Sequence, residues 1–155
     1  MSDKSDSFIT PEELLLDIDE QIEKRGWAMV FVASKDKPYK SFVHTIGFDQ
    51  KGYPELLAFE VPQECVFPIF QCLMFFWDKN GETLGEVDIV NSGYMLRLVE
   101  IDESSMREFM WPKYYHLREN GYDTSFRAIQ VIFPDEDGCS FEETPEQPFL
   151  PEIDF

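Results

Sequence analysis

The sequence predicts an α+β fold: a single domain with a mostly antiparallel sheet and about three helices packed on it. The predicted elements follow the order α, three β, α, two β, α, β, with hairpins instead of a regular βαβ alternation. The 155 residues are 43% hydrophobic and 15% aromatic, which suffices for one substantial core. The chain shows no internal repeat and no composition shift that indicates a second domain.

The first helix is predicted over residues 11–24 because residues typical of a helix start precede it and a residue typical of a helix end follows it. Thr10 is a suitable N-cap, Pro11 suits the first turn, and Glu13 completes a capping box. Gly26 is typical of the position just past a helix end. Apolar residues recur between these signals at helical spacing, namely Leu14, Leu15, Ile18 and Ile22.

Three strands and a second helix are predicted next. Residues 27–33 and 40–48 are rich in β-branched and aromatic side chains and flank a turn, which indicates a hairpin. A third strand is predicted over 55–60. Residues 63–79 predict a helix that is apolar on nearly every side and kinked at Pro68. Such a helix lies either in the core or in a dimer interface.

The remaining core elements are shorter. Strands are predicted at 83–90, 94–101 and 126–133, and a helix interrupted at Pro112 is predicted over 104–120. The sequence therefore divides into a disordered N-terminus (1–9), the α+β domain (10–133) and an extended, acidic, proline-containing C-terminal segment (134–155).

The net charge of −18 excludes two classes of partner, nucleic acids and anionic membrane surfaces, because both repel an acidic protein. The charge is concentrated at the ends: residues 1–25 hold eight acids and three bases, and residues 134–155 hold eight acids and no base. The polar, acidic start resembles neither a secretory signal nor a transit peptide. Three cysteines without CxxC spacing are expected to be free thiols of a cytoplasmic protein.

Five short segments, in order, resemble the signatures of the bacterial domain-of-unknown-function family numbered 4262. They are Gly26-Trp27, Phe42 to Phe48 (FVHTIGF), Gly52 to Leu56 (GYPEL), Gln130 to Asp135 (QVIFPD) and Gln147-Pro148. The resemblance covers roughly residues 22–150 and implies no established activity. The chain departs from the family pattern at His44 (usually Tyr), Tyr53 (usually His) and Phe133 (usually Trp). His and Tyr are thus exchanged between positions 44 and 53 relative to the family. This exchange preserves a His–Tyr pair only if the two side chains are neighbours.

The candidate binding residues come from these segments and from polar positions in apolar strands: His44, Thr45, Tyr53, Glu55, Gln130 and Asp135. Two carboxylates near one cleft, Glu55 and Asp135, would be suited to acid–base chemistry. Each also has a structural alternative, in which Glu55 bonds free backbone groups and Asp135 forms a turn. We predict no catalytic residue, cofactor or metal site, because the histidine spacing is not that of a metal motif and no nucleophile or phosphate-loop motif occurs.

Two classes of function remain open from the sequence. The first is a non-enzymatic, immunity-like module that binds or inhibits a basic protein partner through an acidic surface. The alternative is a small enzyme or ligand-binding domain whose cleft is lined by His44, by Tyr53 to Glu55 and by Gln130 to Asp135. A homodimer through the apolar helix 63–79 is a further possible partnership.

Overall fold

The secondary structure of the computed structural model is described for residues 10–33, 41–59, 63–88, 95–134 and 147–151. Within these ranges the helices are α1 (Pro11–Arg25), α2 (Gln63–Asn80), α3 (Glu103–Phe109) and α4 (Trp111–Glu119). The strands are β1 (Ala28–Ala33), β2 (Ser41–Ile46), β3 (Glu55–Phe59), β4 (Gly85–Val87), β5 (Leu96–Glu100) and β6 (Ala128–Ile132). A short 3-10 helix, Asp49–Lys51, joins β2 to β3. The predicted α+β class is confirmed.

The six strands form one mixed sheet in the order β1-β2-β3-β6-β5-β4. The predicted hairpin is confirmed, since β1 and β2 pair antiparallel with Val30 opposite His44. Only the pairing of β3 with β6, in which Leu57 lies opposite Gln130, is parallel. Of the strand predicted at 83–90, the described residues 83–88 contain only the three-residue strand β4.

Helices cover both faces of this sheet. On one face α2 packs on the main core, and its buried side chains are Val66, Phe70, Leu73, Met74 and Trp77. On the other face α1 packs on β1 and β2, while α3 contributes Met106 and Phe109 to a cluster with Leu57 and Phe59. Because both faces are covered, central strands such as β3 and β6 are buried at every position.

The local signals at α1 act as predicted. The Thr10 hydroxyl accepts the Glu13 N–H at 3.1 Å, and the Glu13 carboxylate accepts the Thr10 N–H at 3.0 Å. Gly26 ends the helix with a φ of 95°, a conformation that favours glycine. These bonds satisfy backbone donors that a helix start otherwise leaves open.

One prediction about helices is corrected in detail. The single helix predicted over 104–120 is two helices that meet at Met110, whose φ of −107° and ψ of 35° are not helical. Pro112 lies in the first turn of α4, where its missing N–H leaves no intrahelical bond unmade. Helix α2 runs through Pro68 as one element from Gln63 to Asn80. None of the described helices combines the length and the apolar content that crossing a membrane requires.

Several predictions lie outside the described residues: the disordered N-terminus at 1–9, most of the segment 134–155, and the candidate Asp135. The described part of the C-terminal segment, residues 147–151, has no helix or strand assigned to it and packs Leu150 against the cluster around Phe109.

Candidate functional site

The Glu55 carboxylate lies at the point where β2, β3 and α4 meet. Its side chain is fully buried, at 0% exposure, at the first position of β3. The turn after β2 points three successive backbone N–H groups at it: Gly47 N is 3.0 Å and Asp49 N 3.3 Å from Oε2, and Phe48 N is 3.2 Å from Oε1. Such a nest of N–H groups stabilises a negative charge.

Thr45 connects this carboxylate to the sheet. Its hydroxyl donates to Glu55 Oε1 at 2.6 Å and accepts the Leu56 N–H at 2.9 Å. One polar residue of β2 therefore bonds both the side chain at 55 and the backbone beside it. The segments FVHTIGF and GYPEL, which are separate in the sequence, converge here.

Lys113 supplies the positive charge that the buried carboxylate needs. It reaches in from α4 with 1% of its side chain exposed, and its Nζ lies 2.8 Å from Glu55 Oε2 and 2.9 Å from Asp49 Oδ1. Its Nζ is also 5.4 Å from the centre of the Phe126 ring. Neither Lys113 nor Asp49 is among the candidates that the sequence indicates.

Burial raises the pKa of Glu55, while Lys113 and the bond from Thr45 oppose that rise. A carboxylate offers about four acceptor positions. Here the two oxygens already meet Thr45, Lys113 and the three N–H groups. A substrate could contact Glu55 only by breaking one of these bonds. The hydrogen bonds and the ion pair of Glu55 hold β2, β3 and α4 together, and we call this arrangement the Glu55 joint.

His44 lies in the interior of the same sheet. It is fully buried beside Val30 and Leu57, and its Nδ1 is 3.1 Å from the Thr45 carbonyl oxygen. Its Nε2 has no hydrogen-bond partner among the described residues. Burial lowers the pKa of His44 to about 4, so the ring is neutral at physiological pH.

Tyr53 makes contacts unrelated to those of His44. Its hydroxyl donates to the Asp78 carboxylate, which raises the pKa of Tyr53, and its ring packs 5.5 Å from that of Trp77. These partners belong to α2, whereas His44 has Val30 and Leu57 beside it on β1 and β3. Among the contacts of the described residues, the exchange at 44 and 53 therefore does not form a His–Tyr pair.

Gln130 and Gln147 hold the C-terminal segment against β6. The Gln130 amide donates to the Pro148 carbonyl at 2.6 Å and accepts the Leu150 N–H at 2.9 Å. In turn, the Gln147 amide accepts the Phe133 N–H at 2.9 Å and donates to the Phe133 carbonyl at 3.1 Å. The two segments QVIFPD and Gln147-Pro148 are therefore held together by paired hydrogen bonds of glutamine side-chain amides.

The structure does not gather the described candidates around one accessible cleft. A groove with a volume of about 380 Å³ lies between β4, β5, β6 and the C-terminal segment, and it is lined by Gly85, Glu86, Arg97, Leu98, Val99, Ile132, Phe149 and Leu150. None of the five described candidates lines this groove. His44, Thr45, Glu55 and Gln130 are each fully buried. Among described residues, no group of three or more His, Cys, Asp or Glu side chains is placed to hold a metal ion.

Comparison of the sequence with known protein families identifies the family of this chain. The family described as "Domain of unknown function (DUF4262)" matches residues 21–141, and the chain belongs to it. The matched region contains the Glu55 joint but begins after most of α1. No curated protein matches the chain. No solved structure matches it.

Proposed function

We propose that this member of the DUF4262 family is a binding module that engages a basic surface of a partner protein through the outer face of α1. The observation that carries the proposal is Leu16, whose side chain is 70% exposed in the middle of that face. We include a cytoplasmic location in this proposal, in line with the free thiol of Cys72 among the described residues.

Helical geometry surrounds Leu16 with carboxylates. Residues three and four positions away are its neighbours on a helix, and these four positions are all acidic: Glu12, Glu13, Asp19 and Glu20. All four are exposed. An apolar side chain inside a polar rim has the general arrangement of a protein interface, with an apolar centre and a polar edge. The rim would steer a basic partner, and Leu16 would bury apolar area on contact.

Local pairing leaves much of this charge available. Asp19 lies 3.0 Å from His116 on α4, and Glu20 lies 3.7 Å from Lys24 in a pair whose side chains are both mostly exposed. The only bases of α1, Lys24 and Arg25, lie in its last turn. The first three turns of the helix therefore present a surface of one sign.

The interior position of the other candidates supports binding over catalysis. Glu55 and Gln130 are occupied by bonds that join elements of the fold, and His44 is enclosed beside β1 and β3. A surface on α1 needs none of these groups to be exposed. We therefore propose that the family segments stabilise the fold and that the outer face of α1 binds the partner.

The test compares capture of partners from native lysate by four proteins: the wild type, Leu16→Ala, Glu20→Lys and the control Glu86→Lys. Glu86 is exposed on β4, at the opposite edge of the sheet from β1, and its reversal changes net charge equally. We expect a basic protein that the wild type and the control capture at low salt. Leu16→Ala and Glu20→Lys should capture it weakly. Equal capture by all four proteins would contradict the proposal.

A further inference from the structure

A second apolar feature lies beside the acidic face, between the start of α1 and the outer face of α4. This α1/α4 groove has a volume of about 250 Å³, and it is lined by Pro11, Trp111, Tyr114, Tyr115 and Arg118. The four α4 residues occur at positions i, i+3, i+4 and i+7, which places them along one side of the helix. The groove is therefore lined by a stripe of mostly aromatic side chains on α4 and by Pro11 at the start of α1.

Trp111, Tyr115 and Arg118 lie outside the face of α4 that packs into the fold, whereas Tyr114 is half-buried against the cluster around Phe109 and beside Phe126. Pro112, Lys113, His116 and Leu117 are buried, whereas Trp111 is 48% exposed. The other two tryptophans, Trp27 and Trp77, are 2% and 1% exposed. An aromatic ring of this size left half in solvent is a common anchor for a binding partner.

Carboxylates stand at the edge of the groove. Glu119 lies four positions after Tyr115 on α4, and Glu12 follows the lining residue Pro11 on α1. Burial, together with the charges of Glu119 and Glu12, raises the pKa of Tyr115. Arg118 is the one cation among the lining residues, and its guanidinium stacks 5.8 Å from the centre of the Tyr115 ring. Glu13, in the same turn of α1 as Glu12, adds further negative charge.

We infer that the α1/α4 groove binds an extended, proline-containing segment of a partner that carries a lysine or arginine. The inference rests on the proposed function and names the chemistry of the partner. Flat aromatic rings are the surfaces on which polyproline II segments dock, because such segments are already extended and lose little entropy on binding. The carboxylates of Glu12 and Glu119 select a basic residue in that segment.

The test uses synthetic peptides and the intrinsic fluorescence of the full chain. Because Trp27 and Trp77 are buried, quenching by a soluble quencher reports chiefly on Trp111. The probe is a peptide of Pro-Pro-Lys repeats, with Pro-Pro-Glu and Gly-Gly-Lys repeats as matched peptides. We expect saturable protection of Trp111 by Pro-Pro-Lys alone.

Calorimetry then measures affinity in variants with the same peptide. Trp111→Ala should weaken binding about tenfold or more, as truncation of a central aromatic anchor does. Phe75→Ala is the matched control, since Phe75 is 59% exposed on α2, on the other side of the sheet, and should leave affinity unchanged. Glu119→Lys should weaken binding several-fold and Glu86→Lys should not. Equal thermal melting of the variants shows that folding is intact.

Several results would overturn the inference. Equal binding of Gly-Gly-Lys would show attraction by charge alone, and equal binding of Pro-Pro-Glu would remove the basic requirement. Peptide binding that appears only after deletion of residues 1–9 would make the N-terminal segment of the chain the occupant of the groove. If Leu16→Ala abolishes partner capture while Pro-Pro-Lys fails to bind, the groove inference falls and the proposed function stands. If the peptide binds and no partner is captured, the proposed function falls.

Discussion

Replacing Lys113 by methionine should destabilise the protein far more than replacing an exposed lysine. The change keeps most of the side-chain volume but removes the charge that lies 2.8 Å from Glu55. Glu55 is fully buried, so without its cation it must either keep an unpaired charge or take up a proton, and both cost free energy. Breaking a buried pair by removing one partner costs about 3–5 kcal/mol. Because Thr45 and the backbone N–H groups still contact the carboxylate, we expect the lower end, about 3 kcal/mol.

The assay is urea unfolding, followed through the fluorescence of the buried Trp27 and Trp77. With an m-value of about 2 kcal/mol/M, the loss moves the midpoint down by about 1.5 M. Lys24→Met is the control, because its pair with Glu20 is exposed and should be worth at most about 1 kcal/mol. A loss for Lys113→Met no larger than that for Lys24→Met would refute the assignment of a structural ion pair.

The double variant Glu55→Gln/Lys113→Met separates the pair from its surroundings. Removing both charges leaves no buried carboxylate without a cation, so the double variant should be more stable than the sum of the single losses predicts. Additive losses would indicate that Glu55 and Lys113 act independently.

Three further predictions concern stability. His44 has an unfolded pKa of 6.5 and a folded pKa of about 4, so its contribution is complete above pH 6.5 and is lost as pH falls toward 4. It should account for about 3 kcal/mol of acid destabilisation, absent in His44→Leu when unfolding is measured across this range. Gly47→Ala should lower the melting temperature more than Gly52→Ala, because a Cβ at 47 would lie 3.1 Å from Trp27 Cα, whereas at 52 nothing lies within 4 Å. Thr10→Ala should cost about 1 kcal/mol in urea unfolding through loss of the N-cap.

Features that depend on neighbours in sequence could be predicted from the sequence. The cap at Thr10, the helix end at Gly26 and the β1–β2 hairpin are each encoded within a few residues, and the structure has all three. The sequence predicts the helix break at Pro112, whereas the structure has it at Met110, because Pro112 lies in the first turn of a new helix, a position that suits proline. Local patterns do not distinguish an interrupted helix from two consecutive helices.

The joint around Glu55 could be predicted only in part. The sequence indicates Thr45 as a polar residue in an apolar strand and Glu55 as an acid in a family segment. Lys113, the partner of Glu55, lies 58 positions after it in a helix with a mixed pattern. That contact depends on how α4 packs on the sheet, which residue spacing does not specify. Trp111, Tyr115 and Arg118 recur at helical spacing in the sequence, and this spacing indicates that they share one side of α4.

The most direct test of the central claim is the association rate of the captured partner at low and at physiological salt, measured by surface plasmon resonance. Recognition through the acidic face of α1 predicts that the rate falls steeply with added salt. Glu20→Lys should lower the low-salt rate, while Glu86→Lys, with the same change in net charge, should leave it near the wild-type value. A rate that is independent of salt, or equal in the two variants, would contradict the claim that this face recognises the partner.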